Sequence, residues 1–322
     1  MRVRDAVLSE LMNKRGEFLS GEQLAAVLSV SRSAVWKAIG QLRSEGYPIE
    51  AATNRGYRLT GGDVLSREGI SRYLQNPAID VHVYGSVGST NTLLKAWAED
   101  GCAEGTVAVA EEQTAGRGRR GRSFFSPKGT GLYLSILLRP EGAAENALSI
   151  TTAAAVAAAE TIENLSGKQT QIKWVNDICI DGKKVCGILT EASVDVESGG
   201  LHYAIVGIGI NALQPADGFP EELRGVAGAV FERCDQPDLR CRLAAALLDR
   251  FYELYQTRGS DACFEAYRER CLVLGRRVTV LSGGIAVADA EVLDLERDYS
   301  LRVRYDDGLI ATLNSGEVSV HA

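Results

Sequence analysis

The sequence predicts an α+β multidomain protein with three parts: a winged helix-turn-helix over residues 1–64, a mixed α/β domain over 65–272, and a small antiparallel β-barrel over 273–322. Three observations carry this. Residues 1–60 hold three amphipathic helical stripes and then a hairpin pattern. Strand-like and helix-like runs alternate from about residue 65 to 272, as in a mixed α/β domain. After Leu274 the pattern becomes short alternating runs separated by glycine turns.

In the first part, Arg4 to Asn13 places Val7, Leu8, Leu11 and Met12 on one helical stripe. Ser20-Gly21-Glu22-Gln23 is a capping box that opens a second helix to about Leu28, with Leu24, Val27 and Leu28 inward. A tight turn at Ser29-Val30-Ser31 leads to a third helix from Arg32 to about Glu45, packed through Val35, Ile39 and Leu42. Such a pair forms a helix-turn-helix whose second helix enters the major groove, with Arg32, Ser33, Trp36 and Lys37 outward. Tyr47 to Glu50 and Tyr57 to Leu59 flank Asn54-Arg55-Gly56 as a wing that carries Arg55. The same shape also serves protein interaction. Charge favours DNA: residues 1–60 carry nine Lys/Arg against six Asp/Glu, a net +3 in a chain of net −7.

Gly61-Gly62-Asp63 forms a joint. Strands are expected at Val81–Tyr84, Val107–Glu111, Gly131–Leu138, Gln171–Trp174, Val185–Glu191 and Tyr203–Asn211. Helices are expected from Ser89 through Trp97, at Ser149–Leu165 and at Leu239–Tyr255. In the tail, Val278–Leu281, Ala286–Leu295, Leu301–Tyr305 and Leu309–Leu313 alternate between turns at Ser282-Gly283-Gly284 and Asp306-Asp307-Gly308, in a barrel of about five strands. Seven cysteines without a Cys-x-x-Cys pair and three scattered histidines (His82, His202 and His321) show no metal-ligand spacing, so no dedicated metal site is expected. The apolar stretches are too short for a bilayer and no secretion signal opens the chain, which makes the cytoplasm the expected location.

Five constellations in the central part could carry chemistry. Gln113-Thr114-Ala115-Gly116-Arg117-Gly118-Arg119-Arg120-Gly121-Arg122 sets four arginines among three glycines after an apolar strand. Glycine gives mobility and arginine a planar fork for carboxylate or phosphate oxygens, so the stretch reads as an anion-closing loop, a nucleic-acid patch or a solvated basic turn. Its place in the acidic part of the chain weakens the nucleic-acid reading. Ser89-Thr90-Asn91 at a strand-to-helix turn reads as a polar ligand site or an ordinary N-cap. Lys173-Trp174-Val175-Asn176-Asp177 ends a strand with a lysine, an amide and a carboxylate, or simply forms a turn. Lys184 begins an apolar strand, either with an anionic partner or solvated at its edge. Gly207 and Gly209 interrupt another apolar strand, which marks the close approach of a backbone or ligand. The dinucleotide fingerprint and the phosphate-binding Gly-x-x-x-x-Gly-Lys loop are both absent.

Together and in this order, the helix-turn-helix, Ser-Thr-Asn, Gln-x-x-Gly-Arg-Gly-Arg-Arg-Gly-Arg, Lys-Trp-x-Asn-Asp, Lys-x-x-Gly-Ile-Leu and Gly-Ile-Asn segments resemble the bifunctional biotin–protein ligases that double as biotin operon repressors. The resemblance spans nearly the whole chain. It implies a biotin–lipoate ligase-like central domain and an SH3-like C-terminal barrel. It also implies an ATP-dependent reaction with Mg²⁺, in which biotin becomes biotinyl-5′-AMP and then passes to a lysine of a biotin carboxyl carrier protein. On this pattern Ser89, Thr90, Asn91 and Gln113 line the biotin end, while Gly116, Arg117, Gly118, Arg119 and Arg120 close over the adenylate with Arg122 in support. Lys184 neutralises charge in both steps; Lys184, Arg119 and Arg117 are the implied catalytic set. Asn176 and Asp177 position either metal and phosphate or the acceptor amine, and Gly187, Gly207 and Gly209 make room for the ligand. The adenylate acts as corepressor, promoting a homodimer that binds operator DNA, and no membrane is involved. Two departures stand out: Val175 replaces a common proline, and Phe124 replaces a tryptophan that packs on the adenylate. A lipoate–protein ligase, or a ligand-sensing transcription factor with a degenerate ligase domain, remains the rival reading.

Overall fold

A computed structural model describes residues 2–140, 147–194, 200–282, 285–314 and 317–320. Gly283, Gly284 and His321 lie outside the described residues. The chain divides into two compact units, Met1–Tyr73 with Cys234–Ala245, and Leu74–Arg233 with Ala246–Ala322.

The first unit holds α1 (Val3–Asn13), α2 (Gly21–Leu28), α3 (Arg32–Ser44), the hairpin β1 (Ile49–Ala52) and β2 (Gly56–Leu59), and α4 (Arg67–Ser71). Both bonds of the capping box form: Gln23 N donates to Ser20 Oγ at 3.0 Å and Ser20 N to Gln23 Oε1 at 2.8 Å. Ser29 takes a left-handed conformation (φ 53°) at the turn, and Ser31 caps α3 by accepting from Ala34 N. Val7, Leu8, Leu11, Leu24, Val35, Ile39 and Leu42 form the core expected of three short helices. Val27 departs from expectation and is 65% exposed. On an eight-residue helix the face toward the core is taken by Leu24, with Ala25 and Leu28 beside it, and Val27 falls outside that face. The short α4 is an element the sequence pattern does not announce.

In the second unit a seven-stranded sheet has the order β3 (Asp80–Tyr84), β4 (Thr106–Ala110), β5 (Leu132–Leu138), β9 (Leu201–Ile210), β8 (Lys183–Val194), β7 (Asp177–Ile180) and β6 (Gln171–Lys173). Only β3 and β4 run parallel. The amphipathic α5 (Thr90–Glu99) packs Leu94 and Ala98 against Ala108, Leu137, Tyr203 and Ile205 on one face. On the other face the alanine-rich α6 (Ala147–Ser166) approaches closely, with Thr151 Oγ1 at 2.7 Å from Thr190 Oγ1 of β8. Two further elements go beyond the sequence expectation. One is β7, joined to β8 by Asp181-Gly182, both at positive φ (49° and 75°), a turn of the tight hairpin kind. The other is α8 (Asp261–Arg270), which follows α7 (Leu239–Gln256) and is tied to α6 by Arg270 and Glu163, 2.8 Å apart.

The C-terminal strands β10 (Arg277–Ser282), β11 (Ile285–Leu295), β12 (Leu301–Tyr305), β13 (Ile310–Leu313) and β14 (Glu317–Val320) form an antiparallel sheet of order β13-β12-β11-β10-β14. The described pairings give a five-stranded sheet, and none of them joins β13 to β14 as a closed barrel would. Trp174 Nε1 donates to Tyr299 O at 2.8 Å, and Tyr299 packs edge-on against Tyr267 of α8.

Candidate active site

A cleft opens on the α5 face of the sheet, lined by Ser89, Thr90, Asn91, Gln113, Arg117, Gly118, Arg119, Phe124, Asn176, Lys184, Gly187, Gly207 and Gly209, with Leu134, Ile188, Leu189 and Ile208 between them. Three of the five sequence constellations therefore converge entirely, the arginine loop joins them through Gln113, Arg117, Gly118 and Arg119, and Asn176 comes from the fifth.

The polar end is a buried hydrogen-bond network. Ser89 occupies the N-cap position of α5 but its side chain makes no capping bond. Gln113 takes that role, its Oε1 accepting from Thr90 N at 2.9 Å and from Thr90 Oγ1 at 3.1 Å. Its Nε2 donates to Ser126 Oγ. Ser135, fully buried on β5, lies 2.7 Å from Thr90 Oγ1 and 2.6 Å from Asn91 Oδ1. Sequence reasoning missed Ser135; its one signal is a single serine inside the apolar run Leu132–Leu138. These bonds hold the Thr90 and Asn91 groups at the cleft, as small-ligand specificity requires.

The arginine loop, expected to be irregular, is pinned at its base. Phe124 N donates to Gly116 O, Gly118 N to Arg122 O, and Arg117 bridges Ser123, with a short 3₁₀ turn at Arg119–Gly121. Arg117 pairs with Glu191 at 3.1 Å, and Arg119 Nη1 donates to Asn176 Oδ1 at 2.9 Å. Arg120 is exposed in a left-handed conformation (φ 56°) and lies outside the cleft lining. Gly116 also stays outside the lining, buried where a Cβ would overlap Phe124 O. Arg122 is exposed.

Lys184 reaches the cleft because of a bulge. Between Ile178 and Cys179 the register shifts, pairing Cys179 with Lys184 and leaving Val185 without a partner on β7. One extra residue turns Lys184 to the side of Gly187 and Asp177, since bulges re-aim side chains. Its Nζ sits 2.7 Å from Asp177 Oδ1, which settles the open alternative in favour of an anionic partner.

The glycines also depart from expectation. The space over them belongs to protein: a Cβ at Gly207 would overlap Asn91 Oδ1, one at Gly209 would stand 2.5 Å from Phe124 Cε1, and one at Gly187 3.0 Å from Lys184 Nζ. The absent side chains let Asn91, Phe124 and Lys184 lie close to the sheet. Burial pushes the Cys179 thiol up to about 11 and the Cys186 thiol higher still, so both stay protonated at neutral pH. No group of three or more His, Cys, Asp or Glu side chains able to hold a metal occurs among the described residues.

In the first unit, Trp36 is 68% exposed beside exposed Ser33 and Lys37 on α3. Arg32 pairs with Glu22 in full solvent, a contact of small energy. Arg55 lies 4.1 Å over the Phe18 ring.

The combination of lid, cleft and winged helix defines a class. Residues 84–211 match the Biotin/lipoate A/B protein ligase family, and residues 3–58 match an HTH domain. The Bifunctional ligase/repressor BirA of Bacillus spizizenii is 36% identical over 312 residues, covering 92% of this chain and 95% of that protein; its Bacillus subtilis counterpart matches equally. The chain belongs to this bifunctional ligase/repressor family. The biotin protein ligase from Aquifex aeolicus in complex with biotin and ATP superposes with a TM-score of 0.63 at 30% identity, over 75% of this chain and 98% of that one.

Proposed function

We propose that the chain is an ATP-dependent biotin–protein ligase and a biotin-responsive transcriptional repressor of biotin genes. The observation that carries the ligase reading is the meeting of two lid arginines and Lys184 above the Ser89-Thr90-Asn91 floor of one cleft. In the first step a carboxylate oxygen of biotin attacks the α-phosphorus of ATP, and the bond to pyrophosphate breaks. In the second a carrier lysine amine attacks the acyl carbon of biotinyl-5′-AMP, loses a proton, and AMP leaves. Both steps need positioning and charge neutralisation more than covalent help from the protein. Ser89, Thr90, Asn91 and Gln113 hold biotin, Arg117, Gly118 and Arg119 close the lid, and Lys184 offsets charge on carboxylate and phosphate. Asn176, bonded to Arg119, and Asp177, bonded to Lys184, fix those two cations. Phe124 packs on the adenylate from Gly209. Mg²⁺ accompanies ATP: one carboxylate and one amide at this end of the cleft suit a metal carried by phosphates rather than a protein cage.

The carrier would be the biotin carboxyl carrier domain of acetyl-CoA carboxylase. Residues 189–194 of β8 pair with β9 and with no other described strand, which supports edge pairing with a carrier or with a second subunit. The adenylate then acts as corepressor by favouring the homodimer. Arg32, Ser33, Trp36 and Lys37 on α3, with Arg55 on the wing, contact operator DNA. We read residues 1–64, 65–272 and 273–322 as the three domains, the last an SH3-like barrel, its five short strands and two bulges supporting that reading. All seven cysteines are free thiols, which suits the cytoplasm. No helix among the described residues is long and apolar enough to cross a membrane.

The test is incubation with ATP, labelled biotin or lipoate, and an apo carrier domain. Biotin on the carrier is expected. Lipoate in its place identifies the lipoate ligase, and neither label on the carrier identifies a sensor without activity.

A further inference from the structure

We propose that Glu191 is a positioning residue for the lid and acts through Arg117, an inference that rests on the ligase reading above. Glu191 lies on β8 opposite Ile205, on the cleft side of the sheet and past the last residue paired with β7. Its two carboxylate oxygens take the two ends of one guanidinium: Arg117 Nη2 stands 3.1 Å from Oε1 and Nη1 3.3 Å from Oε2. This fork-to-fork arrangement fixes direction as well as distance. The same Oε2 accepts from Asn91 Nδ2 at 2.9 Å. Through Asn91 it joins the buried Ser135, Thr90 and Gln113 network, so one carboxylate fastens the lid to the floor of the polar end.

The two lid arginines thereby divide their work. Arg119 meets only the neutral amide of Asn176 among its described hydrogen bonds and keeps its full charge for an incoming phosphate. Arg117 is neutralised by Glu191 and serves as a latch. With the arginine side chain 48% exposed, the pair is weak enough to open for substrate entry.

The experiment measures release of preformed biotinyl-5′-AMP from the full-length protein, comparing wild type with Glu191→Gln, Arg117→Ala and the double variant. Glutamine keeps an acceptor for Asn91 Nδ2 and removes only the charge facing Arg117. Glu191→Gln is expected to speed release roughly two- to fivefold, the range of a partly exposed ion pair. Release should accelerate with added salt more steeply in the wild type than in Glu191→Gln, where the Arg117 pair is already lost. Adding Glu191→Gln to Arg117→Ala should change nothing further. Arg117→Gln approaches the pair from the exposed side, where folding is not at stake, and should reproduce the faster release. Unchanged release in Glu191→Gln, or additive effects in the double variant, overturns the latch. Failure of the wild type to form adenylate overturns the ligase reading instead.

Discussion

The Phe124 ring lies against the bare backbone of Gly209, where a Cβ would stand 2.5 Å from Cε1 and 2.8 Å from Cζ. Gly209→Ala therefore drives the ring away from the sheet at a position whose backbone is ordinary for any residue. Adenylate binding is expected to weaken by about 1–3 kcal/mol, the usual cost of overpacking. Calorimetric titration with biotin and ATP reads the change. Phe124→Ala in the Gly209→Ala background should remove the steric part of it.

Ser135 joins Thr90 to Asn91 from a fully buried position. Ser135→Ala leaves two oxygens without that partner and should cost about 1–3 kcal/mol of stability. The KM for biotin should rise as well, because both partners face the cleft. Denaturant unfolding and steady-state kinetics together check this.

Arg119 is expected to hold the adenylate phosphate. Arg119→Ala should weaken adenylate retention by about 1.5–3 kcal/mol, as for a lost charged hydrogen bond. Release rates that match the wild type would remove Arg119 from the site.

On α3, Lys37 and Trp36 should behave differently toward DNA. Lys37→Ala should lower the slope of log affinity against log salt by about one, as loss of a phosphate contact does. Trp36→Ala should lower affinity without altering that slope. Fluorescence anisotropy with an operator fragment over a salt series separates the two.

Burial works against the Glu163 carboxylate, but hydrogen bonds from Arg270 and Thr170 outweigh it and hold its pKa below the ordinary 4.5. A lowered folded pKa adds stability above the unfolded value and loses it as pH falls through the folded one. Glu163→Gln should thus destabilise the protein by about 1–2 kcal/mol at pH 7, with the penalty shrinking below pH 4.5. Melting temperatures measured from pH 3 to 7 follow it.

The winged helix was almost wholly legible because its signals are local: a capping box, a turn and a helical stripe each act within four residues. The short strand β7 is legible in principle, since Asp181-Gly182 is a hairpin signal after it and the turn open as a reading of Lys173 to Asp177 forms at residues 174–176 before it. Ser135 sits in an apolar strand and Glu191 beside Thr190 at the end of one, and only pairing with distant residues gives them a role. The glycines pointed correctly to close approach, yet what approaches is Asn91 and Phe124 from far along the chain. The loop motif does not separate Arg119, which lines the cleft, from Arg120, because the left-handed turn that sends Arg120 outward leaves no mark in composition.

Val185, without a register partner on β7, makes the side on which Lys184 emerges a matter of odd-or-even count. Were Lys184-Val185-Cys186-Gly187 to pair with β7 without the bulge, strict alternation would send the same ammonium through to the α6 side of the sheet. The bulge, and not the identity of the lysine alone, decides which face of the sheet carries the charge.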